Sequence, residues 1–350
     1  MQISFEQALH GSPTEKGAYL RSLRFMHRNL QSVMDEVQRH MTPFAGLSTT
    51  IVVGPTGVGK STFSALQAEL LLKLNEVEIR EDPGAIPVVL NEVDAADGKE
   101  INWSLFYQHL LQDLHTVCPD FPIGATNSEG KAIDVVKSYR LMFESALRER
   151  KVRHLILDEA VHFADSTTEP LQYGNLLKSL ANRTNMNLLL VGAYRSEMLV
   201  KASGQLGRRI GVVHFPRYHD NQDDFDAFTK FIKEFAEHIP LPFKVDLSKY
   251  VMHLFTAHFG LPGWAAETLI AAVNQCASEG SEKWKDEYVI NACPSPEAYD
   301  SVSLETLEGE ANVERYLKSP RPRTYPTEDE MRARLVARKA NGGHGKGAAR

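Results

Sequence analysis

A chain of 350 residues, 43% hydrophobic and 24% charged, has enough apolar material for one large domain and a smaller companion, which excludes a disordered or fibrous polypeptide. Its formal net charge of −6 excludes wholesale electrostatic capture of nucleic acid, so any such contact must come from a local basic patch. Cys118, Cys276 and Cys293 lack C-x-x-C spacing and the thirteen histidines contain no H-E-x-x-H, so neither a disulfide framework nor a zinc site is indicated and a reduced cytosol fits.

The N-terminus carries no basic stretch followed by an apolar run. The longest apolar stretches are strand-sized, short of the ~20 residues a membrane helix needs, so a cytoplasmic protein with no membrane anchor is expected. A loop containing Ser12, Pro13 and Gly17 precedes one amphipathic helix, Ala18 to His40, with Leu20, Leu23, Leu30, Val33 and Val37 near helical spacing. Residues 1–45 read as a helical N-terminal appendage. From Leu47 short apolar strands follow: TTIVVG from Thr49, IPVVLNEV at 86–93, HLILD at 154–158, NLLLVGA at 187–193 and GVVHF at 211–215. Helix-period segments at 60–74, 103–117, 131–150 and 171–184 lie between them. Strands alternating with helices predict parallel pairing with helices on both faces, an α/β class protein with a three-layer α/β/α core around a five-stranded parallel sheet over 46–220.

After Pro216 the strand signal stops. DDFDAFTKFIKEFAEH puts Phe225, Phe228, Ile232 and Phe235 on one helical face, the start of a small C-terminal helical lid over 221–310. Residues 311–350 form a basic, Pro- and Gly-rich tail expected to be largely disordered, with one short helix from Glu328 to Lys339 capped by Thr327. The tail reads either as an arm that contacts DNA or a partner, or as a solvated terminus.

Gly54-Pro55-Thr56-Gly57-Val58-Gly59-Lys60-Ser61, followed by Thr62, satisfies G-x-x-x-x-G-K-S between a strand and a helix. Glycines let backbone N–H groups and the helix N-terminus wrap phosphate oxygens, Lys60 adds a point charge at the β and γ phosphates, and Ser61 is a magnesium ligand. ATP and Mg²⁺ are therefore the expected cofactors. Leu155-Ile-Leu-Asp158-Glu159 is an apolar strand ending in two acids, with Asp158 placed to hold the magnesium shell and Glu159 to orient and polarise the attacking water. The alternative for the acid pair is a plain strand-to-turn exit. A glutamate directly after the strand-end acid favours ring and filament ATPases over small-molecule kinases and GTPases.

On these motifs the sequence resembles the AAA+ superfamily and, within it, transposition regulators of the TnsC and TniB type, with MuB and IstB as more distant relatives. The resemblance covers roughly residues 20–290 and rests further on the lead-in helix, the compact core, the segment QLGRRIGVVHFPRY and the small lid. It implies ATP bound between subunits of a ring or helical oligomer, with an arginine finger from the neighbour at Arg208 or Arg209; a solvated basic turn is the alternative for that pair. It implies a first sensor near Ala193, Tyr194 or Arg195, a polar switch residue at Asn91, and a sensor-two turn at Gly260–Trp264 with Gly263 where many AAA+ proteins carry arginine, which favours slow, switch-like turnover. It also implies double-stranded DNA held by its backbone through Lys99 in one loop and Thr126, Ser128 and Lys131 in another, loops that are otherwise ordinary solvated surface. The function implied is an ATP-dependent regulator that assembles on target DNA and recruits a transposase alongside a target-selector protein. Another switch NTPase without the DNA role, and a P-loop small-molecule phosphotransferase, are the competing readings.

Overall fold

Runs of β-branched and leucine residues give five short strands, β1 (Thr49–Val53), β2 (Val88–Glu92), β3 (His154–Asp158), β4 (Asn187–Gly192) and β5 (Ile210–His214). They pair in the order β2-β3-β4-β1-β5, every neighbour parallel, with Ile51 level with Leu190 on one side and Val212 on the other. β1 is buried along its whole length, as an interior strand covered on both faces must be. The computed structural model describes residues 3–42, 47–95, 101–119, 132–165, 186–202, 210–317 and 333. The expected five-stranded parallel α/β core is present.

Helices α1 (Phe5–His10), α2 (Pro13–Ser22) and α3 (Arg28–Met41) lead into the sheet. The single helix expected over Ala18–His40 is thus two helices, and the expected loop at Ser12, Pro13 and Gly17 is the start of α2. Ser12 accepts a hydrogen bond from the Glu15 amide while Glu15 reaches back to Ser12, a capping box with Pro13 in the first turn. The break falls where Leu23 and His27 are extended. Tertiary packing overrides the helical periodicity there: Phe25 lies 5.5 Å from the Phe235 ring and 6.0 Å from that of Phe231, and His27 stacks at 6.0 Å on Phe215. The N-terminal residues are also integral to both cores. Ala8, Tyr19 and Leu20 sit in the helical C-terminal cluster, whereas Leu30, Val33, Met34 and Val37 pack with Val52, Ile156 and Val213 of the sheet. The buried Lys16 ammonium ties them further, donating to the carbonyls of Ala8 (2.8 Å), Leu9 (2.7 Å) and Pro240 (3.0 Å).

Between the strands run α4 (Lys60–Leu74), α5 (Glu76–Glu81), α6 (Trp103–Asp113), α7 (Val135–Glu149) and the single turn α8 (His162–Asp165). α6 stops short of the expected residue 117 because His115 turns into the left-handed region, φ 50°. α7 starts later than residue 131 because Asp134 caps it, accepting from the Lys137 amide at 3.0 Å. The helix expected over 171–184 lies outside the described residues, as does that at 328–339. No described helix is long and apolar enough to cross a membrane.

Beyond β5 the chain is helical: α9 (Gln222–Glu237), α10 (Val251–Ala257), α11 (Pro262–Ser278), α12 (Asp286–Ala292) and α13 (Pro296–Val313). Phe228, Ile232 and Phe235 of α9 are buried as the spacing predicts, joined by Phe231, while Phe225 is only partly covered. α2 packs on α11, so this bundle closes over the N-terminal segment. Residues Met1–Tyr316 form one compact unit and Leu317–Arg350 a second.

Candidate nucleotide site

The C-terminal ends of parallel strands leave a crevice where ligands bind, and the glycine-rich run enters it directly from β1. Gly54 donates to the Gly192 carbonyl at 3.3 Å, and a Cβ there would stand 2.5 Å from the Phe215 carbonyl oxygen, so only glycine fits. Gly57 and Gly59 adopt φ of 79° and 109°, conformations that turn successive amides inward. No side chain caps α4, whose first-turn N–H groups point into the loop with the positive end of the helix dipole behind them.

Lys60 is 8% exposed and its ammonium folds back on the loop's own carbonyls, donating to Pro55 at 2.9 Å and Gly54 at 3.2 Å. Burial pulls it below the usual lysine range; the carboxylates of Glu159, Asp158 and Glu305 oppose that pull. Asp158 at the end of β3 is likewise buried, and its Oδ1 accepts the Glu159 amide at 2.9 Å, which fixes the carboxylate. Glu159 sits at φ 52°, a left-handed conformation that costs a residue other than glycine on the order of 1 kcal/mol. The next residue anchors the turn, the Ala160 amide donating to Val191 of β4 at 2.8 Å. Phosphate loop and acid pair therefore converge on one point, with Lys60 between them.

The bundle closes the opposite side. The Trp264 amide at the start of α11 donates to the Gly57 carbonyl at 3.0 Å, and a Cβ on Gly263 would lie 2.7 Å from that same oxygen. Glycine stands where arginine was the familiar residue because the helix end rests directly on the loop. Next to this contact is a cavity of about 130 Å³, with Phe25, His27, Val58, Thr62, Pro262 and Ile270 among its walls. Its apolar faces and width suit a flat heterocycle beside the phosphate site. Phe25 and His27 were not singled out as site residues in the sequence; the signal for them is two aromatics just before α3, readable only once the helix is known to break there.

The remaining expected residues fare variously. Tyr194, two residues beyond β4, spends its hydroxyl on His214 Nε2 at 2.9 Å. The Asn91 side-chain amide donates to Asp113 at 2.8 Å, while its buried Oδ1 has no partner among the described residues. Arg208, Arg209, Lys99, Thr126, Ser128 and Lys131 lie outside the described residues. His258, read as a satisfied core histidine, is that: Nδ1 faces the Leu254 carbonyl at 2.8 Å and must donate, so Nε2 accepts from the Thr268 hydroxyl at 2.7 Å.

Burial holds His27, His154, His214 and His258 each down to about 4. An unfolded chain takes up those protons near pH 6.5, the folded one only near 4. The histidines' contribution is therefore fully present above about pH 6.5 and is lost as pH falls towards 4. Melting followed by circular dichroism should show Tm falling steadily across that window; a flat Tm would mean that these rings titrate freely in the folded state.

Residues 46–199 match the family described as "AAA domain". No curated protein matches the chain. Among solved structures, the ORC2 protein of Aeropyrum pernix, solved as ADPNP-ADP complexes, is 14% identical with a TM-score of 0.52, over 92% of this chain and 89% of that one. CDC6P from Pyrobaculum aerophilum is 13% identical with a TM-score of 0.51, over 92% and 88%. At such identity these two show a shared fold. The five-stranded parallel sheet, the phosphate loop at its centre, the helical bundle that follows and the matched domain together make this chain a member of the AAA+ ATPase family.

Proposed function

We propose that this chain is a Mg²⁺-dependent ATPase that assembles on double-stranded DNA as a ring or helical oligomer and recruits a transposase there with a target-selector protein, ATP hydrolysis driving disassembly. The observation that carries the ATP reading is the convergence of the buried Lys60 with Asp158 and Glu159 across the loop Gly54–Thr62. Lys60 trades its two carbonyl partners for the β and γ phosphates, and the loop amides hold the remaining phosphate oxygens. Glu159 orients a water in line with the γ phosphorus and polarises it. The Ser61 hydroxyl and Asp158 carboxylate are the hard oxygen donors magnesium prefers, and the ion supplies charge neutralisation between the phosphates. The base lies in the cavity walled by Phe25 and His27. Arg208 or Arg209 of a neighbouring subunit completes the site.

The transposition reading rests on the likeness to TnsC- and TniB-type regulators in the nucleotide motifs, the segment QLGRRIGVVHFPRY and the lid over 221–310 that follows the core at 46–220. Contact through Lys99, Thr126, Ser128 and Lys131 is with the DNA backbone and is blind to sequence. The test is negative-stain microscopy and sedimentation with ATP or ADP, with and without duplex DNA, followed by capture of a retroviral-integrase-type transposase encoded beside this gene. Oligomers that need both ATP and duplex, and that retain the transposase, are expected. Oligomers indifferent to DNA would favour another switch NTPase, and a monomer consuming a small acceptor would favour a phosphotransferase.

A further inference from the structure

Helix α13 belongs to neither motif, yet it runs across the nucleotide side of the molecule. It carries Glu297, Asp300, Glu305, Glu308 and Glu310 and no basic residue. Its inner face is docked at four successive points. Tyr299 meets Phe259 edge-on at 6.1 Å. Val302 packs on the cluster that contains Val58 of the phosphate loop and Phe63 of α4. Gly309 lies so close to Tyr194, beyond β4, that a Cβ would stand 2.0 Å from the ring. Glu310 takes both ends of the Arg217 guanidinium, at 3.0 and 3.4 Å, and that guanidinium in turn covers the Phe259 ring at 3.9 Å.

A glycine within a helix is the least favourable residue apart from proline, so its presence needs a packing reason, and the Tyr194 ring supplies one. The middle of the docked face carries Glu305. This carboxylate lies at the solvent edge, one turn from Gly309, and is near enough for its charge to act on Lys60. A γ phosphate bound at Lys60 would bring further negative charge into the place Glu305 already influences. ADP, lacking that group, would meet less repulsion.

Resting on the reading of this loop as an ATP site, we propose that α13 is an autoinhibitory strap: docked through Gly309 on Tyr194 and Glu310 on Arg217, it holds Glu305 against the phosphate site and is displaced when ATP, rather than ADP, binds. Displacement frees the Arg217 guanidinium and the Tyr194 face. The strap therefore discriminates between the two nucleotides before any chemistry occurs.

The test uses the full chain with three variants and two readouts. Gly309→Ala inserts a methyl against Tyr194 while improving the helix, Glu310→Gln removes the charge that grips Arg217, and the exposed Glu305→Gln leaves docking in place but removes the repulsion. If the docked form dominates in the parent, each variant should tighten ATP binding roughly tenfold and leave ADP affinity within about twofold, as expected when a binding-competent minority becomes the majority. Hydrogen exchange over 296–313 should rise in the parent on adding ATP and already be high in Gly309→Ala and Glu310→Gln. The strap is refuted if Gly309→Ala raises exchange in α13 without changing ATP affinity, or if Glu305→Gln affects ATP and ADP alike. Should Gly309→Ala fail to fold, Glu305→Gln still decides. ATP binding that survives in Lys60→Ala would overturn the site itself instead.

Discussion

Lys60→Ala is expected to abolish ATP binding, while Glu159→Gln is expected to bind ATP as the parent does and to stop turning it over. The two residues flank one site but enter at different stages. Lys60 contributes its charge to the bound phosphates, and losing a charge-assisted contact of this kind weakens ATP by about a hundredfold or more. The loss should not be one of folding. Burial already disfavours the Lys60 ammonium, so its removal takes away a desolvated charge, and Tm should stay within a few degrees of the parent's. Glu159 acts on the water, so glutamine in its place keeps the shape and the backbone turn but cannot accept a proton; turnover should drop by roughly 10²–10⁴-fold. Equilibrium binding of a fluorescent ATP analogue together with phosphate release separates the variants. Loss of binding in Glu159→Gln would show that the acid pair serves the fold and not the reaction.

Gly260→Ala is expected to be among the most destabilising single substitutions in the bundle. Gly260 has φ 70° directly after Phe259 at 52°, and it closes α10 by donating to the Phe255 carbonyl at 2.9 Å. Its own carbonyl accepts the Tyr218 amide, also at 2.9 Å. A Cβ there would stand 1.9 Å from the Tyr218 backbone oxygen, which cannot rotate away as a side chain would. Left-handed strain and displacement of that strand-to-bundle junction together should cost about 2–4 kcal/mol, a Tm loss of roughly 5–15 °C. Gly280 provides the control, since it shares a positive φ of 61° but a Cβ there meets nothing within 4 Å. Gly280→Ala should lose only about 1 kcal/mol, the conformational part alone. Equal Tm losses in the two variants would contradict the role assigned to the Tyr218 contact.

The parts of the chain governed by local rules were legible from sequence. The phosphate loop is a backbone conformation written in glycines, the strands are short apolar runs between helix-period segments, and the acids of β3 follow the last buried residue of a strand. Longer-range packing was not legible in the same way. The helix expected over Ala18–His40 breaks because Phe25 and His27 are captured by rings from α9 and from Phe215, partners some 190 to 210 residues away in sequence that periodicity cannot report. The capping boxes at Ser4–Gln7 and Ser12–Glu15 were a local signal that marks two further helix starts. Gly263 looked like a missing arginine, whereas the α11 terminus rests on Gly57 and leaves no room for any side chain. Gly309 was silent for a related reason, because a glycine that admits a neighbouring ring has meaning only when the ring is known.

Whether this chain is a nucleotide switch is decided by titrating ATP and magnesium into the purified parent and Glu159→Gln proteins, with binding and phosphate release read from the same samples. The geometry of Lys60, Asp158 and Glu159 predicts saturable binding in both, one nucleotide per chain, with phosphate released only by the parent. No saturable binding to the parent, or equal phosphate release from the two proteins, would contradict it.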